Sequence, residues 1–249
     1  MEKKDKYHLS WDCDCHTSGP EYAQRFSGRT GEFFLARQDE VLGEFLDDIS
    51  GKRVLDAGGG HGQNAGRILS AGGKYTALAS SPGCDRMLRR KLSGLNVEPH
   101  DVIEYGRLDR LPFPDRSFDA VVSFRIISHV PDWRLFLGEL CRVSDNKVII
   151  DFAPAAGCLS KKVFFLIKGR FETASREFTT QSPVEISREA GRCGFCVKEV
   201  QRQFILPMVM HRLAGSGALF GVERAAVRLG LTRFAGGPAV ALLERKRGN

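Results

Sequence analysis

The sequence predicts one α/β domain, a doubly wound and mostly parallel sheet of seven strands with helices on both faces. Three observations predict it. Short apolar strands alternate with amphipathic helices between residues 54 and 152, the rhythm of βαβ units. The first strand stops in a glycine cluster that opens the next helix. Phe118 to Phe124 (FDAVVSF) is apolar nearly throughout, as a strand covered on both faces must be.

Taken in order, residues 1–20 are polar and read as a flexible N-terminal arm, with residues 21–249 as the single domain. From Glu32 to Ile49 the residues Phe33, Phe34, Val41, Leu42, Phe45, Leu46 and Ile49 recur at helical spacing. Val54-Leu55 opens the first strand, and Gln63 to Ala71 is the helix after the glycines. Tyr75 to Ala79 is a second strand, Gly83 to Leu92 a second helix of the alternation, and Val97 to Val102 a weaker third strand. Phe118 to Phe124 is the fourth strand and Lys147 to Phe152 (KVIIDF) the fifth, with the helix Trp133 to Val143 between them. Then the rhythm changes. Leu159 to Gly169 reads as a short basic helix, and Pro183 to Arg192 as a helix with Ser182 at its N-cap and proline at its first position. Cys196 to Leu206 is a strand, Met208 to Leu231 largely helical, and Ala239 to Glu244 the last strand. Inserts at about 155–180 and 207–236 are expected to cap a substrate.

Composition sets bounds on function. Hydrophobic residues make up 42% and charged residues 27%, the globular range. No apolar run is long enough to cross a bilayer, and the N-terminus lacks the apolar core of a secretory signal, so a cytoplasmic protein is expected. Seven scattered cysteines then stay reduced. Cys193 and Cys196 have CxxC spacing, but Gly194-Phe195 reads as a helix-to-strand turn that parts them. Cys13, Cys15 and His16 find no second half of a zinc site, so no metal is expected. Charge is uneven. Residues 1–154 carry 21 Lys/Arg against 23 Asp/Glu, and residues 155–249 carry 16 against 7. That basic C-terminal part suits an anionic partner such as a membrane surface, or is a solvated face.

The strongest motif is Val54-Leu55-Asp56-Ala57-Gly58-Gly59-Gly60-His61-Gly62. A strand delivers Asp56, and glycines at 58, 60 and 62 let the backbone turn tightly and bring its N–H groups against a ligand. In a doubly wound sheet this loop lies at the carboxyl ends of the strands, where ligands bind. Nicotinamide enzymes use GxGxxG instead, and the spacing here, an acidic residue ahead of GxGxG, resembles the first motif of class I S-adenosylmethionine-dependent methyltransferases. Leu111 to Asp119 (LPFPDRSFD), Ile126 to Asp132 (IISHVPD) and Glu139-Leu140-Cys141-Arg142-Val143 resemble later motifs of the same family in the same order. The pattern is most like its quinone-biosynthesis branch, over roughly residues 22 to 152.

The resemblance implies a Rossmann-like fold and S-adenosyl-L-methionine as cofactor. It places Asp56, Gly58, Gly60 and Gly62 at the methionine end, with Ser80, Leu108, Ser123, Phe124 and Arg125 lining the pocket. His129, after the fourth strand, is the expected base where an acceptor hydroxyl must lose a proton. Tyr22 and Arg29 could close over the pocket. Three positions depart from the family. Ala79 stands where a carboxylate usually holds the ribose, Arg107 where an acidic residue reads the adenine amino group, and Ser144-Asp145-Asn146 replaces a glycine pair. Cofactor binding is therefore expected to be weak, to use other groups, or to be lost.

Phe164, Phe165, Leu166 and Ile167, with Phe204 to Leu206 and Met208 to Met210, form an apolar wall or an ordinary core. With Lys161, Lys162, Lys168, Arg170 and Arg212 beside them, a small apolar, lipid or quinone-like acceptor is expected. The alternatives are a non-catalytic binding protein of the same fold or, at longer odds, a nucleic-acid methyltransferase. No Asn-Pro-Pro-Tyr-like motif follows the fourth strand, so no nucleic-acid partner is expected.

Overall fold

Residues 9–11, 26–59, 62–79, 82–98, 102–154, 179–206, 208, 210–211, 217–233 and 236–246 are described in this computed structural model. Along β1 (Arg53–Ala57) successive side chains leave opposite faces of the sheet. Leu55 and Ala57 join one apolar cluster, and Val54 joins another. The same period sorts β5 (Ser144–Phe152), where Val148 and Ile150 lie on the first side and Ile149 on the second. Both faces are covered, which is why β4 (Phe118–Ser123) is apolar almost without interruption.

The face bearing Val54 is covered by α1 (Gly28–Phe45), α2 (Ala65–Ser70) and α3 (Pro82–Ser93), through Val41, Leu42, Ile68, Leu88 and Leu92. The opposite face is covered by α4 (Trp133–Val143) and α5 (Pro183–Arg192), through Phe136, Leu137, Leu140 and Ile186. With β2 (Lys74–Ala79), β3 (Ile103–Tyr105), β6 (Phe195–Arg202) and β7 (Ala239–Arg245), the sheet has seven strands in the order β3-β2-β1-β4-β5-β7-β6. Strands β1 to β5 pair in parallel, and β7 runs antiparallel between β5 and β6. The predicted architecture is the observed one.

Helix ends follow local chemistry. At α4 the Asp132 carboxylate accepts the N–H groups of Arg134 and Leu135 at 2.9 and 3.3 Å. At α5, Ser182 and Glu185 form a capping box with Pro183 behind it. Two sequence motifs become one unit in space. Arg142 donates to the carbonyls of Phe113 at 2.8 Å and Leu111 at 3.0 Å, and to Asp115 at 2.9 Å. Glu139 accepts from the Leu111 N–H at 2.8 Å and from Arg142. The helix-end pair thus clamps the Leu111–Asp115 turn that feeds β4.

Four expectations shift. The third strand is not Val97 to Val102 but Ile103–Tyr105, paired with Ala77 to Ala79; Pro99 has no N–H for a ladder. Helix α1 spans Gly28–Phe45 rather than 32–49, although Leu46 and Ile49 remain buried beyond its end. Strand β6 stops at Arg202, short of Leu206. Within the stretch read as helical from 208 to 231, α6 (Gly217–Arg228) is followed by a 3-10 turn, Leu231–Arg233. The basic helix expected over 159–169, most of the first insert, Gly60, Ser80, Cys13, Cys15, His16 and Tyr22 lie outside the described residues.

Candidate functional site

The chain leaves β1 toward β2 on one side and reaches β4 on the other, so the order reverses at the β1–β4 seam. A crevice opens outside the carboxyl ends at such a reversal. One wall is the glycine turn. Gly58 has φ +77°, a backbone that side chains disfavour, and a Cβ there would lie 2.7 Å from Ile126 Cγ1. At Gly59 a Cβ would lie 2.2 Å from the Asp56 carboxylate. Gly62, at φ +57°, closes the turn by donating its N–H to the Gly59 carbonyl at 2.6 Å. Gly58 and Gly62 are favoured by their positive φ, and Gly59 by the lack of room for a Cβ above Asp56.

The Asp56 side chain is tucked beneath this turn, against Gly59, on the sheet face covered by α1 and α2. It is fully buried and accepts hydrogen bonds from Asn64 Nδ2 at 3.0 Å and Tyr75 Oη at 3.1 Å. Asn64 in turn accepts from Gln38 Nε2 at 3.2 Å. The network ties β1, β2, α1 and the start of α2 together, with the glycine turn stretched over it. Burial pushes the Asp56 carboxyl up to about 6, against the pull of Asn64, Tyr75 and the nearby Arg125 charge.

The other wall follows β4. Ser123 is buried and donates its hydroxyl to the Ala57 carbonyl at 2.8 Å, pinning the two strand ends together. Phe124 packs in the core beneath. Arg125 then takes the left-handed conformation, φ +62°, a backbone that side chains seldom adopt. Its N–H is given to Asp151 at the end of β5, and its guanidinium lies 4.7 Å from the Phe26 ring centre. Burial pushes Asp151 up to about 6 as well.

These two carboxyls make a pH prediction. Each ionises near 3.8 in the unfolded chain and near 6 in the fold. The native state therefore bears no penalty from them below about pH 4 and the full one above about pH 6, about 3 kcal/mol each by linkage. Asp151→Asn keeps an acceptor for the Arg125 N–H and cannot ionise. Urea unfolding should show it stabilised by up to about 3 kcal/mol at pH 8 and unchanged at pH 4. Equal effects at both pH values would refute the assignment.

The remaining sequence-predicted residues are placed as follows. Leu108 is fully buried in the apolar cluster that includes Leu55, Ala57 and Leu78. His129 is half-buried in the turn after β4, where its N–H donates to the Ile126 carbonyl and its carbonyl accepts from Ser10. Ala79 is buried at the end of β2. Arg107 is mostly exposed and grips Asp109 through two bonds of 2.9 and 2.8 Å. Cys193 caps α5 while Cys196 sits in β6, and the Cys193 thiol meets Cys141 of α4, so the CxxC spacing does not make a pair. Sequence reasoning missed Asn64, Tyr75 and Gln38, since nothing in their spacing announces a shared network. Asp151 was legible only as the end of a strand.

Residues 55–150 match the family model of the methyltransferase domain. This stretch is a methyltransferase domain. Around it, the chain is 36% identical over 100 residues to a fatty-acid O-methyltransferase of Mycolicibacterium smegmatis, 39% of this chain and 34% of that protein. It is 34% identical over 97 residues to a demethylmenaquinone methyltransferase of Clavibacter sepedonicus, 38% of each chain. The matched stretch spans about a third to two fifths of the length of such curated relatives. In three dimensions the chain resembles the magnesium protoporphyrin IX methyltransferase of Synechocystis, solved with bound S-adenosylhomocysteine. The TM-score is 0.65 at 16% identity, over 94% of this chain and 98% of that one, a likeness of fold. No described helix of the methyltransferase-domain chain is long and apolar enough to cross a membrane.

Proposed function

We propose that the chain is an S-adenosylmethionine-dependent methyltransferase that acts on a small apolar acceptor of lipid or quinone type. The observation that carries this reading is the cradle at the β1–β4 seam, where Gly58 and Gly59 have no room for a Cβ and the strand ends are pinned by Ser123. A backbone wall of that kind suits a ligand pressed against main-chain N–H groups. The relatives named for fatty-acid and demethylmenaquinone methylation support the acceptor class.

When bound, S-adenosylmethionine supplies an electrophilic methyl on a positively charged sulfur. The glycine turn from Gly58 to Gly62 would hold its methionine end, and the Ser123 to Arg125 stretch with Leu108 would bound the pocket. Asp56 acts through the turn, because its carboxylate is already bonded to Asn64 and Tyr75. Ser80, next in sequence after β2, would serve the ribose by the family resemblance. Methyl transfer is an in-line displacement whose rate comes mostly from alignment, so a rigid seam is the main requirement. His129, half-buried after β4, is within this end of the sheet and can take a proton from an acceptor. The basic residues beyond 155 suit an anionic head group or membrane surface near the acceptor.

Calorimetric titration with S-adenosylmethionine and S-adenosylhomocysteine tests the reading. Micromolar binding that Gly58→Val abolishes is the expected outcome. Absence of heat at millimolar ligand would instead favour a non-catalytic protein of this fold, the reading that buried Ala79 and the Arg107–Asp109 clasp support.

A further inference from the structure

His211 and Glu223 are both buried, at 0% and 1% side-chain exposure, and bond to each other at 3.0 Å through His211 Nε2. Glu223 also accepts the N–H groups of Ile205 and Leu206, each at 2.8 Å. Every group it meets is a donor, so it serves as an acceptor and directs Nε2–H toward itself. In the neutral ring the lone pair is then on Nδ1. That atom is buried and has no hydrogen-bond partner. An unmet buried acceptor costs about 1–3 kcal/mol, and the bond to Glu223 uses only the other ring nitrogen.

The surroundings point to a use. Four aromatic rings enclose the imidazole: Phe33, Phe34, Phe204 and Phe220, with centres 5.7 to 6.2 Å away. Phe33 is the part-exposed member and stacks on Phe220 at 4.4 Å, while the other three are buried. The box stands at the functional end of the sheet. Strand β6 runs parallel to β5, through their shared antiparallel partner β7, so Phe204 follows the carboxyl end of β6 as Arg125 follows that of β4. Helix α1 brings Phe33 and Phe34 to the same end, one turn and more beyond Phe26, whose ring meets Arg125.

We propose that the part-exposed Phe33 ring swings off Phe220 to admit the hydroxyl-bearing ring of the acceptor, a phenol or hydroquinone, and that His211 Nδ1, in place of His129, accepts the hydroxyl hydrogen. This deepens the methyltransferase reading and rests on it. In the reaction the hydroxyl O–H bond breaks, the proton goes to Nδ1 and its electron pair stays on oxygen. That oxygen bonds the methyl carbon as the carbon–sulfur bond breaks, leaving its pair on sulfur. Glu223, fixed by two backbone N–H groups, holds the ring in place and balances the charge it acquires.

The test compares 1-naphthol with 1-methylnaphthalene, which replaces the hydroxyl by a more apolar methyl, in calorimetric titrations with and without S-adenosylhomocysteine. Wild-type protein should bind the naphthol about tenfold more tightly, the worth of one hydrogen bond to a buried acceptor. His211→Phe should erase that preference. Equal binding of the two probes to wild type, or a preference that survives His211→Phe, overturns the proposal. Nitrogen-15 histidine spectra of wild type give a readout that needs no variant: a histidine Nδ1 resonance should move with the naphthol and not with its methyl analogue, and a spectrum unmoved by saturating naphthol also overturns it. Nucleoside binding is read separately, so its loss counts against the cofactor reading and not against the naphthol contrast.

Discussion

Gly59→Ala is expected to disable the cofactor site and destabilise the fold, although it adds a single methyl. Built on the native backbone, that methyl would stand 2.2 Å from one Asp56 carboxylate oxygen and 2.4 Å from its carbon. Neither side can yield cheaply. The carboxylate is held by Asn64 and Tyr75 in a fully buried network, and the turn is closed by the Gly62-to-Gly59 hydrogen bond. Displacing Asp56 leaves the Tyr75 hydroxyl and the Asn64 amide without an acceptor, at about 1–3 kcal/mol for each group. We therefore expect a loss of about 3 kcal/mol in urea unfolding and a fall of at least about a hundredfold in S-adenosylhomocysteine affinity. Gly66→Ala, in helix α2 with nothing within 4 Å of its Cβ, should leave both quantities within error or slightly improve stability. If Gly59→Ala behaves like Gly66→Ala, the tight turn over Asp56 is not a constraint.

The second large effect is expected far away in sequence. Glu223→Ala removes an acceptor that serves Ile205, Leu206 and His211 together. All three donors would then lie in a buried aromatic setting with nothing to accept them. Leaving three buried donors without an acceptor costs about 1–3 kcal/mol for each group, a loss that for a chain of this length lowers Tm by roughly 10 °C. Differential scanning calorimetry decides it. A shift under about 3 °C would show that the segment after β6 does not depend on Glu223.

Much of the fold was legible because each strand and helix writes its burial into its own period. β4 and β5 are covered on both faces and read as apolar runs; α4 shows its helical stripe in Phe136, Leu140 and Val143, although Leu135, which the spacing also turns inward, is exposed; α5 shows its cap in Ser182 and Pro183. The glycine turn was equally plain, since no other residue fits φ near +77° without strain. What failed was local and explicable. The third strand was misplaced by several residues because three paired residues carry too little pattern to locate. Helix α1 was extended to Ile49 because residues past its end still pack in the core.

For the site, the division runs between backbone and side chain. The sequence by itself determined where the chain turns at the β1–β4 seam, through the spacing of Asp56 and its glycines and the order of the later motifs. Only the tertiary structure decided what the side chains there do. It turned Asp56 inward onto Tyr75 and Asn64, gave the Arg125 N–H to Asp151, joined Arg142 to the Leu111–Asp115 turn, and buried His211 against Glu223. The physical reason is one of range. A turn or an apolar period is set by neighbours a few residues apart, whereas a buried polar group must find its partner wherever the fold brings one, 19 residues away for Asp56 and Tyr75 and 26 for Arg125 and Asp151.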